Sequence, residues 1–382
     1  MIKSFSAVTR EIENADAAIA EIKAGLNLEK NQLKNSLGII SCFSDFGETG
    51  VLKAICKSLP FDCVGATSCL CSASGEIDQI IFAITVLTSD DCSFKATAIP
   101  ITENYKDSIN SCLGGLLEQS GEKPAFFLSY FPLMENVSGD MILEAIDAVS
   151  GGIPLFGTTA LDHKFDYSTA KTIYNGGMYR EMAVLGAIYG NPKLSFEIAS
   201  FEESKIRKQK AIITESHDNI LIGINGKKAL DYFSELGYTR EELEVGLGLA
   251  PIVIDHKDGT KPIARSVFAL TEEGHAICGG VMPVNASMTV ARIDKDDVLH
   301  TTENTLKSFI SKDCLLLSYS CMARFVILGS NNKEEAEIIK KIAGDTPFHF
   351  ACSGGEICPL PDAEGKMKNY FHNYTNIFCK LE

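Results

Sequence analysis

The 382-residue chain has no surplus of basic residues: 35 Lys and Arg against 50 Asp and Glu leave a net charge of −15. A nucleic acid or an anionic membrane needs a basic face to meet its phosphates, so neither is expected as the main partner. No apolar run approaches the roughly 18 residues of a membrane span. The opening stretch, MIKSFSAVTREIE, is charged and poor in apolar residues, unlike a secretory signal. The thirteen cysteines are odd in number and lack the paired C-x-x-C spacing of a metal site. Cys63, Cys69, Cys71, Cys352 and Cys358 are therefore expected as free thiols packed in the core, in a reducing cytoplasm, rather than as metal ligands. There is no G-x-S-x-G elbow, Walker loop or H-E-x-x-H helix, so the common hydrolase, nucleotide and metalloprotease chemistries have no motif here.

What the chain does have is the composition of a globular protein, 45% hydrophobic and 22% charged, at a length that suits two domains. It also repeats a grammar three times. GIISCFS (Gly38 to Ser44), PAFFLSYF (Pro124 to Phe131) and CLLLSYSC (Cys314 to Cys321) each read as a short apolar strand. An amphipathic helix follows each one (VLKAICKSL, DMILEAIDAVSG, KEEAEIIKKIAG), and then a Pro-led strand ending in small residues (PFDCVGATS, IPLFGTT, TPFHFACSGGEI). A strand, a helix and a second strand predict parallel pairing with the helix crossing over. Another strand follows each unit, and Asn175-Gly176 marks a hairpin, so antiparallel strands are mixed in. The predicted class is α/β: two related domains with mixed, partly parallel sheets and crossover helices. The boundary falls near NPKLSFEIASFEESKIRKQK, giving domains 1–205 and 206–382. The second opens on DNILIGINGKKALDYFSELG, a strand, an Asn-Gly turn and a helix closed by Gly237.

Ligands of open α/β sheets bind outside the carboxyl ends of parallel strands. Two small-residue loops at such positions run into Gly-Glu-Ile, at Gly75-Glu76 and at Gly354-Gly355-Glu356. Their glycines allow close approach of a ligand or of another backbone, and the glutamate brings a carboxylate to the rim.

These residues, taken in order, resemble the FIST family. PFDCVGATS and GGIPLFGTTALD are similar to its Pro-apolar-Gly-small-small signature, and NGKKALDYFSELG to the opening of its C-terminal module. LLLSYSCMARFVILG resembles its Ser-x-Cys-x-x-Arg strand end at Cys321 and Arg324. SGGEICP and FHNYT resemble its closing motifs, and the similarity runs from about Ile19 to the C-terminus. The resemblance implies a FIST N-terminal-like domain over 1–205 and a FIST C-terminal-like domain over 206–382. It implies a cytoplasmic sensory module of signal transduction that binds a small molecule, an amino acid or another small zwitterion or carboxylate. With the chain ending after the module, the expected output is a separate signalling protein. The alternatives are an enzyme acting on a small metabolite in the same cleft, or a haem-binding gas sensor. No C-x-x-C-H is present, so no cofactor is expected; His372 is the residue that would hold haem.

The expected ligand site gathers Arg324, Cys321, Glu356, Gly354, Gly355, His372 and Asn373, with Arg265 at the rim. Arg324 would grip a carboxylate in two places, Glu356 would meet an amine, and glycine N–H groups would lie between. The alternative roles are an ion pair of Arg324 with Glu356, an ion-paired or solvated Arg265, and a turn cap from His372-Asn373. A nucleophilic Cys321 or Cys352 would need a positioned histidine, and His349 stands an odd number of residues from Cys352, on the other strand face.

Overall fold

The computed structural model describes the chain except for residues 120–121, 135, 165–167, 245–250, 256–260 and 312–313, and the side chains of 118, 119 and 244. The element order repeats three times. The first unit is β1 (Lys3–Thr9), α1 (Ala15–Leu26), α2 (Leu28–Asn31), β2 (Asn35–Cys42), α3 (Asp45–Glu48), α4 (Val51–Lys57), β3 (Cys63–Thr67), a hairpin β4 (Cys71–Ala73) and β5 (Glu76–Asp78), then β6 (Phe82–Ser89). The second is β7 (Ser93–Pro100), α5 (Tyr105–Gln119), β8 (Phe126–Phe131), α6 (Gly139–Ser150), β9 (Leu155–Thr159), the hairpin β10 (Thr172–Tyr174) and β11 (Gly177–Tyr179), and β12 (Met182–Tyr189).

The third opens with β13 (Leu194–Ala199) and is then interrupted by a small sheet of its own. That insert holds β14 (Ala211–His217), β15 (Ile220–Ile224), β16 (Lys227–Lys228), α7 (Ala229–Glu235), α8 (Arg240–Glu244), β17 (Ile252–Asp255), β18 (Ile263–Arg265), β19 (Val267–Leu270), β20 (Ala276–Cys278) and β21 (Ser287–Val290). The unit resumes with α9 (Lys295–Phe309), β22 (Leu315–Cys321), α10 (Met322–Leu328), α11 (Glu334–Ala343), β23 (Phe348–Ser353), the hairpin β24 (Glu356–Pro361) and β25 (Met367–His372), and β26 (Asn376–Leu381).

The sequence grammar holds: the protein is α/β, with two concatenated domains and mixed sheets. β2–β3, β8–β9 and β22–β23 are the parallel pairs, each joined through helices. From Leu37 onward in β2, and along all of β3, β8, β9, β22 and β23, every residue is buried, as strands covered on both faces must be. Each pair is flanked on one side by its own final strand and then its own first strand, giving β1-β6-β2-β3, β7-β12-β8-β9 and β13-β26-β22-β23.

On the other side each pair is completed by a hairpin from a different unit. The second unit's β10–β11 pairs with β3, the third unit's β24–β25 with β9, and the first unit's β4–β5 with β23. The hairpins are thus exchanged in a cycle, and two of the three exchanges cross between the halves of the chain. Asn175 and Gly176 form the β10–β11 turn with both φ angles positive, 49° and 81°, as that two-residue turn requires.

The three sheets share one core. Leu37, Ile39 and Val64 of the first meet Leu128, Tyr130 and Phe156 of the second and Leu317 and Tyr319 of the third. Two polar contacts are buried at this meeting point. The Tyr130 and Tyr319 hydroxyls lie 3.2 Å apart, and His349 sits between Ser41 Oγ at 2.9 Å and Thr85 Oγ1 at 3.1 Å. Helices cover the outer faces: α1 and α4 on the first sheet, α5 and α6 on the second, and α9 and α11 on the third. Side chains cap the helices that matter most below. Ser138 accepts from Met141 N at the start of α6, Gly151 closes it with φ 75°, and Asp294 and Asp297 form a capping box on α9.

Gly65 and Gly157 occupy equivalent places in β3 and β9, opposite Ile40 and Ser129. An added Cβ would run into the carbonyl oxygens of Ile40 and Ser129 respectively. Gly65→Ala and Gly157→Ala should each lower the urea-unfolding free energy by about 3 kcal/mol or more. Gly114→Ala, on α5 with open space around it, should raise it by about 0.5–1 kcal/mol. Equal small effects at all three positions would contradict the strand register.

Candidate functional site

The expected site residues do not share one open cleft: Cys321 meets Glu356, which stands opposite His372 on β25, while Arg324 and Arg265 are each paired elsewhere in the interior. Cys321 ends β22, and Arg324 lies in the first turn of α10, fully buried. Its guanidinium is enclosed by protein atoms. Nε donates to Glu335 Oε1 at 3.0 Å and Nη1 to Tyr374 O at 3.3 Å. Nη2 donates to Val298 O, Thr301 Oγ1 and Thr302 Oγ1 at 2.8, 3.2 and 2.9 Å. Glu335, on α11, also accepts from Thr302, Ser320 and Asn376. The ion-pair partner of Arg324 is thus Glu335, neither Glu356 nor an open carboxylate site. The sequence could not indicate this, because Glu335 lies in a helix whose EEAE start offers three glutamates with nothing to single one out. The network ties α9, α10, α11 and the β25–β26 turn into one buried unit, and breaking one side of such a pair costs far more than the pair contributes.

Glu356 opens β24, also fully buried. Its Oε2 accepts from Thr375 Oγ1 at 2.9 Å and from Thr375 N at 3.3 Å, while Oε1 has no hydrogen-bond partner. Cys321 is its neighbour, and the carboxyl helps to hold the thiol well above its usual pKa, after burial itself. Burial pushes the Glu356 carboxyl up to about 8, against the opposing hydrogen bonds from Thr375. It is a protonated acid at neutral pH, so it offers no charge to an amine.

Arg265, at the end of β18, is also buried, and its Nη2 grips both oxygens of Asp140 at 2.9 and 3.1 Å. Asp140 lies in the first turn of α6 and accepts as well from Val281 N at 2.9 Å. This pair pins the inserted sheet to the second unit. Asn373 accepts from Ser266 N, which ties the β25–β26 turn to the inserted sheet, and donates to His372 O, while His372 Nε2 lies 3.0 Å from Cys358 O. The two Gly-Glu-Ile loops prove unrelated. Gly75 turns the exposed β4–β5 hairpin, with Glu76 ion-paired to Arg10, and the position equivalent to Glu356 in the first unit is Cys71.

Gly354 and Gly355 lead to the open part of the molecule. Gly354 N donates to Thr159 O at 3.0 Å, and Thr159 N to Gly355 O at 2.8 Å, so this loop closes over the carboxyl end of β8–β9. Beside it runs a narrow cleft with a cavity volume of about 30 Å³, the room of a single water. Leu133, Val137, Ser138 and Gly139 form one wall, where the chain enters α6. Asn219, Phe268, Cys278 and Gly279 of the inserted sheet form the other, with Phe371 and Thr159 at the back. Thr159 is 3% exposed, and its hydroxyl has no hydrogen-bond partner. Buried hydroxyls are almost always paired, so this atom stands out. Sequence reasoning quoted the GTT signature without choosing Thr159; its position as the last residue of a Pro-led parallel strand was the available signal.

The FIST N domain model matches residues 36–227, and the FIST C domain model matches residues 229–359. The chain belongs to the FIST family. FIST domains form a sensory family of signal transduction. No curated protein matches the chain. Among solved structures, the FIST chain is similar to a cyanuric acid hydrolase from A. caulinodans, at 6% identity over 99% of this chain and 98% of that one, with a TM-score of 0.40. A second cyanuric acid hydrolase structure is 9% identical over 100% and 99%, with a TM-score of 0.37. Likenesses this distant carry no argument about activity. Within the FIST C domain, the motif residues Cys321, Arg324 and Glu356 build the interior. The cleft instead lies where the second unit meets the inserted sheet, which spans the end of the FIST N match and the start of the FIST C match.

Glu356 makes a test of the interior. The folded protein keeps a proton on it that the unfolded chain, with an ordinary value near 4.5, gives up. Its contribution to stability is therefore complete below pH 4.5 and lost as pH rises to about 8. His349 acts in the opposite sense: burial pushes it down to about 3 from 6.5, so its contribution is lost as pH falls below 6.5. Between pH 6.5 and 8 the Glu356 effect is free of the histidine, and stability should fall by up to about 1.4 kcal/mol per pH unit. Glu356→Gln should reduce that slope in urea unfolding measured across the window, leaving the part from the buried thiols, whose raised values act in the same sense toward pH 8. An unchanged slope would mean that the carboxyl ionises normally.

Proposed function

We propose that this FIST protein is a small-ligand sensor, and that the cleft beside Thr159, about 30 Å³ when empty, opens between its two walls to hold the ligand. The observation that carries the reading is the Thr159 hydroxyl: buried, without a partner, on a residue that lines the cleft. A ligand oxygen would satisfy it. The cleft also borders the start of α6, a 12-residue helix whose first N–H groups have no acceptor within the helix. A helix N-terminus favours an anionic group. Apolar contacts come from Leu133, Val137, Phe268 and Phe371. The complement is a small carboxylate with an apolar body, an amino acid among the candidates, its carboxylate toward α6 and Thr159.

The two walls of the cleft belong to different bodies, the second unit and the inserted sheet, which Arg265 and Asp140 join at one side. A ligand touching both favours one relative placement over others, and that difference is what a separate output protein would read. Thirteen free thiols, all but Cys112 buried, suit a reducing cytoplasm as the setting.

Thr159→Val tests the site, because it keeps the shape and removes only the hydroxyl. Deleting an unpaired buried hydroxyl is neutral or stabilising, so the ligand-free variant should melt no lower than the wild type. Amino acids and small carboxylates, screened by thermal shift and then calorimetry, should include binders of the wild type. The variant should bind them about tenfold or more weakly, the value of a hydrogen bond to a charged group. A variant with unchanged affinity, or one that melts lower and binds equally well once folded, would remove Thr159 from the ligand site.

A further inference from the structure

The carboxyl end of β2–β3 is built like that of β8–β9, and it too carries an orphaned polar atom. In the second unit the strand end is closed by a loop from another unit, with Gly354 N donating to Thr159 O. In the first unit Leu161 N donates to Thr67 O at 3.1 Å in the same manner. The next residue of that closing loop is Asp162. Its carboxylate is fully buried; Oδ1 meets His163 Nδ1 at 2.7 Å, and Oδ2 has no hydrogen-bond partner. Among the described residues its only ion-pair contact is with His163. The nearby Lys171, whose backbone N–H bonds Thr67, carries its ammonium to Glu48, 2.7 Å away.

The surroundings are aromatic and reach solvent. The His163 ring packs on Phe43, the residue after β2, with ring centroids 4.7 Å apart, and the His163 side chain is 40% exposed. The first-unit strand end therefore has the reverse polarity of the cleft at Thr159: an acceptor with aromatic neighbours in place of a donor at a helix start.

We propose that Asp162, with Phe43 and His163 beside it, forms a second ligand site that takes the ammonium group of a small amine. A buried carboxylate oxygen without a partner is costly to keep, and an ammonium N–H satisfies it with opposite charge. Aromatic faces add attraction for the same group. A divalent metal fits less well, since no group of three or more His, Cys, Asp or Glu ligands occurs among the described residues. The net charge of −15 favours the approach of a cation.

The test is thermal unfolding and calorimetry of the full chain titrated with methylammonium chloride, with sodium chloride at matched ionic strength as the control. The wild type should be stabilised by methylammonium beyond the sodium control. Asp162→Asn should bind methylammonium about 10- to 150-fold more weakly. Without ligand it should melt at or above the wild-type temperature, because a buried carboxylate with one oxygen lacking any partner is gone. Phe43→Leu, which leaves the carboxylate in place, should weaken methylammonium roughly 2- to 5-fold. Thr159→Val should respond as the wild type does, which separates this site from the carboxylate cleft. A wild type that responds equally to sodium and methylammonium, or an Asp162→Asn variant with wild-type affinity, would overturn the proposal.

Discussion

A β-strand at the edge of a sheet leaves a row of N–H and C=O groups that must be bonded, and in this fold the edge left by each crossover unit is covered by a strand from another unit. β3 is completed by β10, β9 by β24 and β23 by β4. No unit can satisfy its own buried backbone, and the chain reaches a complete set of hydrogen bonds only when the cycle closes. The shared core then follows, because three sheets held in a ring bury their inner faces against one another.

The same exchange builds the functional geometry. Ahead of each hairpin the chain meets the carboxyl end of the host's parallel pair, where Leu70, Leu161 and Gly354 make backbone bonds. A strand end that would otherwise open to solvent becomes a semi-enclosed place with polar atoms facing inward. At the third pair the enclosure is complete, and Arg324, Glu335 and Glu356 lie in the interior. At the second, the inserted sheet stands off enough to leave a cleft with Thr159 at its back. Family motifs that look like ligand chemistry are here the means of closing one strand end, while the accessible chemistry lies at another.

How much of this was legible in the sequence depended on the range of the interaction. The strand-helix-strand units at Gly38, Pro124 and Cys314 were readable because apolar period and Pro-led strands are local signals. So were the turns at Asn175-Gly176 and Asn225-Gly226, whose positive φ angles need those residues. The exchange of hairpins was not readable: β4 follows β3 by four residues yet pairs with β23, nearly 280 residues away, and nothing local marks that choice. The likeness of Gly75-Glu76-Ile77 to Gly355-Glu356-Ile357 was textual, since one is a hairpin turn and the other a strand entry. Arg324 stood out in the sequence as a guanidinium at a strand end, expected to hold a ligand carboxylate or to pair with Glu356. Its role was not legible, because the deciding partner lies eleven residues on in a helix of similar glutamates. Thr159 and Asp162 both lie in the GGIPLFGTTALD signature, but what sets them apart from its other residues is a missing partner, which only the folded structure reveals.

The claim that the exchanged hairpins hold the protein together is tested most directly by hydrogen exchange on the fragment 206–382, alone and mixed with 1–205. Alone, the fragment lacks β13, β4 and β5, so β23 and β26 each have an open edge. The account predicts that amides of Leu315–Cys321 and Phe348–Ser353 exchange freely in the isolated fragment and become protected when 1–205 is added. Protection of those strands in the isolated fragment, equal to that in the whole chain, would contradict it.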